Sequence, residues 1–193
     1  MRRVLVAVLA VTIIGVTGCG SAAPRFNAVD ITGVPGFGTD FRLTDHTGKA
    51  RTLADFRGKV VAVFFGFTFC PDVCPTTLSE MRQVMQQLGP SSEKLQVLFI
   101  TVDPKRDTPE LLAKYMAAFH SGFLALYGDA AATSKVTGDF KIVARIAPGK
   151  SAETYTVDHT AGTLIFDTQG RLRLMAPYGL GVEKLTADIK QLM

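Results

Sequence analysis

The sequence predicts an α/β fold: a central mixed sheet with helices on both faces and an N-terminal β-hairpin. Three observations predict it. Residues 59–65 (Lys-Val-Val-Ala-Val-Phe-Phe) and 95–102 are apolar on both faces, as strands at the centre of a covered sheet must be. Each is followed by a stretch whose apolar residues recur at helical spacing. The chain then closes with a second hairpin and a last amphipathic helix.

In order, residues 41–44 alternate apolar and polar, residues 45–49 form a turn and residues 51–53 return, which is a β-hairpin. His46 lies in that turn and reads as a solvated residue rather than a ligand. After the first central strand, Leu78, Met81, Val84, Met85 and Leu88 fall on one helical face from Thr76 onward, and Gly89-Pro90 stops the helix. Thioether is a soft metal ligand, but methionines at this spacing read as core. Residues 103–107 (Asp-Pro-Lys-Arg-Asp) make a polar loop at the end of the second central strand. Thr108 supplies an N-cap and Pro109 an N1 residue for a helix that buries Leu111, Leu112, Tyr115, Met116 and Phe119.

Residues 123–127 form a short strand, and Asp129 caps a helix running towards Val143. Residues 147–152, with Pro148 and Gly149, read as a loop, and Tyr155-Thr156-Val157 leads into Asp158-His159-Thr160. Residues 163–166 and 171–175 pair across Asp167-Thr168-Gln169-Gly170. Val182, Leu185, Ile189 and Leu192 share one face of the last helix. There is no internal repeat, and residues 39–193 read as one domain. Parallel central strands closed by an antiparallel hairpin fit a thioredoxin-like fold.

The chain has 193 residues, of which 47% are hydrophobic, enough for one core plus extensions. Its net charge of +4 includes Arg2 and Arg3 at the very start, and no basic stripe interleaves with aromatics. Nothing in this pattern points to nucleic acid. Residues 1–18 read as a secretory signal, with a positive start, an uncharged apolar run and small residues before Cys19. The run falls short of the roughly 20 apolar residues that span a bilayer. Val16-Thr17-Gly18-Cys19 resembles a bacterial lipobox, although Val16 and Thr17 depart from its usual residues. That resemblance puts a lipid on Cys19 and the protein on the cell membrane, facing the extracytoplasmic side. Residues 19–38 are small, polar and punctuated by glycine and proline, and read as a flexible tether. The Gly33-x-x-Gly36-x-Gly38 cluster follows no strand and opens no helix, which argues against a phosphate loop.

Cys70 and Cys74 stand where the first central strand meets the helix after it. Thiols at i and i+4 point the same way if the turn between them is helical. A helix N-terminus favours thiolate over thiol. Thiolate is both the nucleophile of disulfide exchange and the ligand of Cu(I) or Zn(II), so the local chemistry allows either use. A disulfide that only braced the domain would close a tiny loop and gain little from it. His159 adds a third donor, and a Cys2His set suits Cu(I), Cu(II) or Zn(II), but the sequence alone does not bring it to the pair. Thiol oxidoreductases more often space their cysteines as Cys-x-x-Cys, so the longer interval favours metal. The Phe67-Thr68-Phe69 run and Cys74-Pro75-Thr76 superficially resemble a peroxiredoxin, with Cys74 as its peroxidatic thiol. The nearby second cysteine and His159 argue against that.

Four segments follow in one order: Gly58-Lys59-Val60-Val61, residues 65–78 with the Cys70-Pro71-Asp72-Val73-Cys74-Pro75 element, residues 102–109, and Tyr155-Thr156-Val157-Asp158-His159-Thr160. Over residues 27–193 the chain resembles the SCO family, also called SenC/PrrC. The resemblance implies a membrane-tethered, thioredoxin-like copper protein, with Cys70, Cys74 and His159 at the positions of the family's copper ligands. It implies a metallochaperone that delivers copper to the CuA site of cytochrome c oxidase during assembly. The alternative is a thiol:disulfide oxidoreductase that keeps the cysteines of the recipient site reduced. The implied partners are the CuA-bearing subunit and other copper carriers. Phe69 stands where many members have histidine. Asp158 is placed either to orient the His159 ring or to face solvent. The loop at residues 103–107 either forms a docking rim or simply feeds the next helix.

Overall fold

The computed structural model describes residues 25–149 and 154–193. The strands are β1 (Val29–Asp30), β2 (Leu43–Asp45), β3 (Ala50–Arg51), β4 (Val60–Gly66), β5 (Leu95–Thr101), β6 (Leu124–Tyr127), β7 (Ala144–Ala147), β8 (Thr156–His159), β9 (Thr163–Phe166) and β10 (Leu172–Ala176). The helices are α1 (Val73–Leu88), α2 (Pro109–Ala117), α3 (Ala130–Asp139) and α4 (Val182–Leu192). Eight strands form one sheet in the order β1-β10-β9-β4-β5-β6-β2-β3. β4, β5 and β6 are parallel, and β9 closes on β4 antiparallel. This is the thioredoxin-like arrangement.

Both central strands are buried along their whole length. Val60, Ala62 and Phe64 of β4 join one core with residues of α1, α2 and α4. Val61, Val63 and Phe65 join a second core on the other face, with Val136 of α3 and Phe56. That two-sided cover is why these strands carry no polar alternation. Met81 is buried in the first core and Met85 packs against it, so the α1 methionines are core residues. No helix among the described residues is long and apolar enough to cross a membrane.

Two hairpins use the same turn. In β2–β3, the buried Asp45 carboxylate accepts N–H groups from Thr47 and Lys49 and pairs with Arg51 Nε at 2.8 Å. In β9–β10, Asp167 accepts from Gln169 and Arg171 N–H and pairs with Arg171 Nε at 2.8 Å. Each turn places a glycine at positive φ, Gly48 at 88° and Gly170 at 70°, where a side chain would be strained.

Three expectations need correction. The helix after Asp129 ends at Asp139, and Ala144–Ala147 is a strand that pairs with β8 in a separate two-stranded sheet. The loop expected at residues 147–152 therefore begins only where β7 ends; residues 150–153 lie outside the described residues. β7 escapes a sequence reading because three of its four residues are exposed and give no alternation. The second correction concerns the tether, whose later part is packed. β1 pairs with β10, and the buried Asp188 carboxylate accepts N–H groups from Asn27 and Ala28 and the Asn27 side-chain amide. A carboxylate buried on α4 needs those donors, and nothing local to residues 25–30 announces it. Third, α1 begins at Val73 rather than at Thr76, which takes Cys74 and Pro75 into its first turn. Cys19 and residues 1–18 lie outside the described residues.

Candidate metal centre

β4 ends at Gly66 and the chain turns through Phe67, Thr68 and Phe69 to Cys70, just ahead of α1. Asp72 is the N-cap residue, but its side chain makes no capping bond. The Cys70 sulfur takes part of that task, accepting the Cys74 N–H at 3.4 Å. Cys74 lies inside the first turn and is fully buried, whereas Cys70 is half-buried. The strand end must come close for this. A Cβ added to Gly66 would sit 2.8 Å from Cys74 Sγ and 2.7 Å from Phe99 Cε2.

β8 delivers His159. Its Nε2 lies 3.4 Å from Cys74 Sγ, and its Nδ1 lies 3.0 Å from the Thr160 carbonyl. A carbonyl only accepts, so Nδ1 carries a proton, and in the neutral ring Nε2 turns a lone pair towards Cys74 Sγ. The ring stands edge-on to Phe64 and Phe67, with centroids 6.0 and 5.9 Å away. The ligand atoms of Cys70, Cys74 and His159 all lie within 4.8 Å of one another. Among the described residues, these three form the cluster of histidine, cysteine and carboxylate donors fit to hold a metal ion. Two thiols and an imidazole suit a soft or borderline cation. Asp158 is exposed, so the Thr160 carbonyl, rather than Asp158, orients the ring.

The expectation of two ready thiolates holds poorly for Cys74. Burial pushes its thiol far above the ordinary value, and the neighbouring Cys70 thiol and the Asp107 carboxylate add to the rise. The Tyr115 hydroxyl is pushed up by burial first and by the two cysteines next, and it has no hydrogen-bond partner among the described residues.

In the 103–107 loop, Asp103 and Asp107 are buried and act as a brace, while Lys105 is exposed. Asp107 accepts Thr68 Oγ1 and Thr101 Oγ1, both at 2.6 Å, and also the Thr68 N–H, which ties the cysteine loop to β5. Burial raises its pKa against the pull of those bonds. Asp103 pairs with Arg106 and accepts the Tyr155 hydroxyl at 2.7 Å. Neither Arg106 nor Tyr155 stood out as a site residue in the sequence. The available signal was an arginine between two acids at the C-terminal end of a central strand. Cys70 and His159 also line a depression of about 190 Å3 that opens to solvent, with Phe67, Val73 and Thr156. A larger cavity, of about 850 Å3, is lined by Ile31, residues 33–40, Leu53, Ala54, Arg57 and residues 169–172 and shares no residue with the metal centre.

A family model described as SCO1/SenC matches residues 29–193. The chain belongs to the SCO1/SenC family. Relatives include a mitochondrial SCO2 homolog from Bos taurus, 36% identical over 156 residues, covering 80% of this chain and 59% of that protein. The Homo sapiens SCO2 homolog is 39% identical over 133 residues, covering 68% of this chain and 50% of that protein. The chain thus spans little more than half the length of these relatives. Among solved structures, copper-bound ScoI from Bradyrhizobium japonicum is 38% identical with a TM-score of 0.75, covering 81% of this chain and 99% of that one. Apo Sco1 from Thermus thermophilus is 35% identical with a TM-score of 0.77, covering 89% of this SCO1/SenC chain and 99% of that one.

Proposed function

We propose that this SCO1/SenC protein holds one copper ion on Cys70, Cys74 and His159 and hands it to the CuA site of cytochrome c oxidase during assembly. The observation that carries the reading is the convergence of two sulfurs and a bare imidazole nitrogen within 4.8 Å at the mouth of a shallow depression. Copper-bound relatives with the same overall structure support the choice of cation. The copper is cargo, and the site suits cargo. Cys74 anchors it from below, while Cys70 and His159 face the opening, where a recipient's thiolates and imidazoles can replace them in turn. Because burial holds Cys74 as a thiol, copper entry displaces its proton into solvent. The lipobox resemblance puts this chemistry on the outer side of the cell membrane, tethered through Cys19, with the CuA-bearing subunit and other copper carriers as partners.

A second reading has its own observation in favour. Both thiols are free, one half-buried at a helix start and one buried beneath it, an arrangement a thiol:disulfide oxidoreductase also needs. Copper acceptance itself requires the reduced pair, so the two uses are compatible. The deciding experiment titrates Cu(I) into the reduced full chain against a chromogenic chelator, beside His159→Ala. One tight copper per chain, weakened in the variant, is expected. Equal binding in both removes His159 from the site. No tight binding, with a readily cycled Cys70–Cys74 disulfide, moves the function to thiol exchange.

A further inference from the structure

The two halves of the metal centre reach it from different bodies. Cys70 and Cys74 follow β4 of the main sheet, while His159 sits on the β7–β8 pair, which among the described residues has no strand pairing with that sheet. One side chain touches both. The Arg106 guanidinium donates to the Tyr155 carbonyl at 2.9 Å and lies 3.5 Å over the Tyr155 ring, at the start of the arm that carries His159. Its centre lies 4.8 Å from the Phe69 ring and 5.8 Å from the Phe67 ring, both on the cysteine loop. Its Nε is paired with the buried Asp103 at the end of β5, and Asp103 also receives the Tyr155 hydroxyl.

We propose that Arg106 is a positioning residue that clamps the histidine arm to the cysteine loop and so fixes the Cys2His geometry. A guanidinium suits the task because it can stack on two rings while its edge donates to a carboxylate and a carbonyl. Phe69 completes the clamp. It is 56% exposed, and burial alone gives no reason for so large an apolar ring there. Lysine would keep the charge beside Asp103 but lose the planar stack and the fork of donors. Holding the arm is therefore distinct from neutralising Asp103. The metal part of the proposal rests on the copper reading above; the clamp itself does not.

The test uses the full chain in detergent, with hydrogen exchange followed by mass spectrometry on the metal-free protein and Cu(II) titration on the same samples. Arg106→Ala should speed exchange of the β7–β8 amides about tenfold or more while leaving β4 and β5 unchanged. It should weaken Cu(II) binding about as much as His159→Ala does. Arg106→Lys should rescue neither readout, and Phe69→Ala should give a smaller effect of the same sign. Unchanged β7–β8 exchange in Arg106→Ala overturns the clamp. Faster exchange with unchanged Cu(II) binding overturns the positioning role. Full rescue by Arg106→Lys does so too, because neutralising Asp103 would then suffice. If the wild type binds no copper, the copper reading falls and the exchange ratio still decides the clamp. Should Arg106→Ala fail to fold, Tyr155→Leu carries the test, since it removes one face of the stack and leaves the Arg106–Asp103 pair in place.

Discussion

Cys74 and His159 lie within 3.4 Å of each other, yet their supports have little in common. Cys74 is fully buried behind β4, whose seven residues are all buried, paired with β5 throughout and with β9 from Val61 to Phe64. His159 ends β8, whose strand partner among the described residues is β7 alone, and three of the four β7 residues are exposed. The cysteine side is thus packed into the core, while the histidine side is pinned to it by a few polar and ring contacts. In structural terms, one ligand is held by the core and the other by local contacts. Under the proposed role as a copper carrier, that inequality would ease transfer of the metal.

Substitutions under the cysteines should therefore cost the whole molecule. Phe64 is fully buried between Phe99 and His159. Phe64→Ala should remove about 3–5 kcal/mol from the unfolding free energy, read as a lower urea midpoint. Gly66→Ala should cost about 3 kcal/mol by overpacking, because the new methyl has no room beside Phe99, Cys74 Sγ and the Phe64 ring, none of which can swing into solvent. It should also impair copper binding, since Cys74 must move. A Gly66→Ala protein with wild-type stability would show that the strand end yields, and the contrast between the two halves would fail.

Acid should attack the frame at its edge hairpin. Burial opposes ionisation of Asp45, but Thr47, Arg51 and the Lys49 N–H outweigh it and hold the pKa at about 2, below the unfolded value of about 3.9. The sign follows from that lowering. The stabilisation is complete above the unfolded value, and it is lost as pH falls from about 4 through about 2. Between pH 5 and pH 2, wild type should lose about 2 kcal/mol more than Asp45→Asn, measured by urea unfolding at each pH. An equal loss in both would mean that the turn is not held by the charge.

What the sequence made legible follows the same division. β4 and β5 stood out because burial on both faces leaves long apolar runs, unbroken in β4 and interrupted in β5 only by Gln96 and Thr101. The β2–β3 and β9–β10 hairpins stood out because an Asp and a Gly three residues on define each turn locally. The β7–β8 pair has no such turn among the described residues and buries only Val157 fully, so its pattern resembles a loop. Residues 27–30 were obscure for another reason: their partner, Asp188, is distant in sequence and carries the explanation. In the site, the spacing of Cys70 and Cys74 announced a thiol pair. His159 offered itself as a third donor by residue type, but only the resemblance to a family pattern brought it to the pair. Arg106 was not legible, because its contacts with Tyr155 and Phe69 exist only once two loops meet.

The smallest effect on stability, and the most informative, belongs to His159→Ala. The half-buried imidazole bonds the carbonyl of the next residue, meets Cys74 Sγ at 3.4 Å through Nε2, and makes two edge contacts with rings that stay in the core without it. Removing it should change the unfolding free energy by about 0.5 kcal/mol or less. Copper binding should nonetheless weaken, because two sulfurs alone serve Cu(I) better than Cu(II) and the lost imidazole is the harder donor. The loss should accordingly be larger for Cu(II) than for Cu(I), measured by competition titration on the reduced protein. If His159→Ala instead lowers the urea midpoint as far as Gly66→Ala, the histidine is part of the frame, and the site does not have one fixed half and one releasable half.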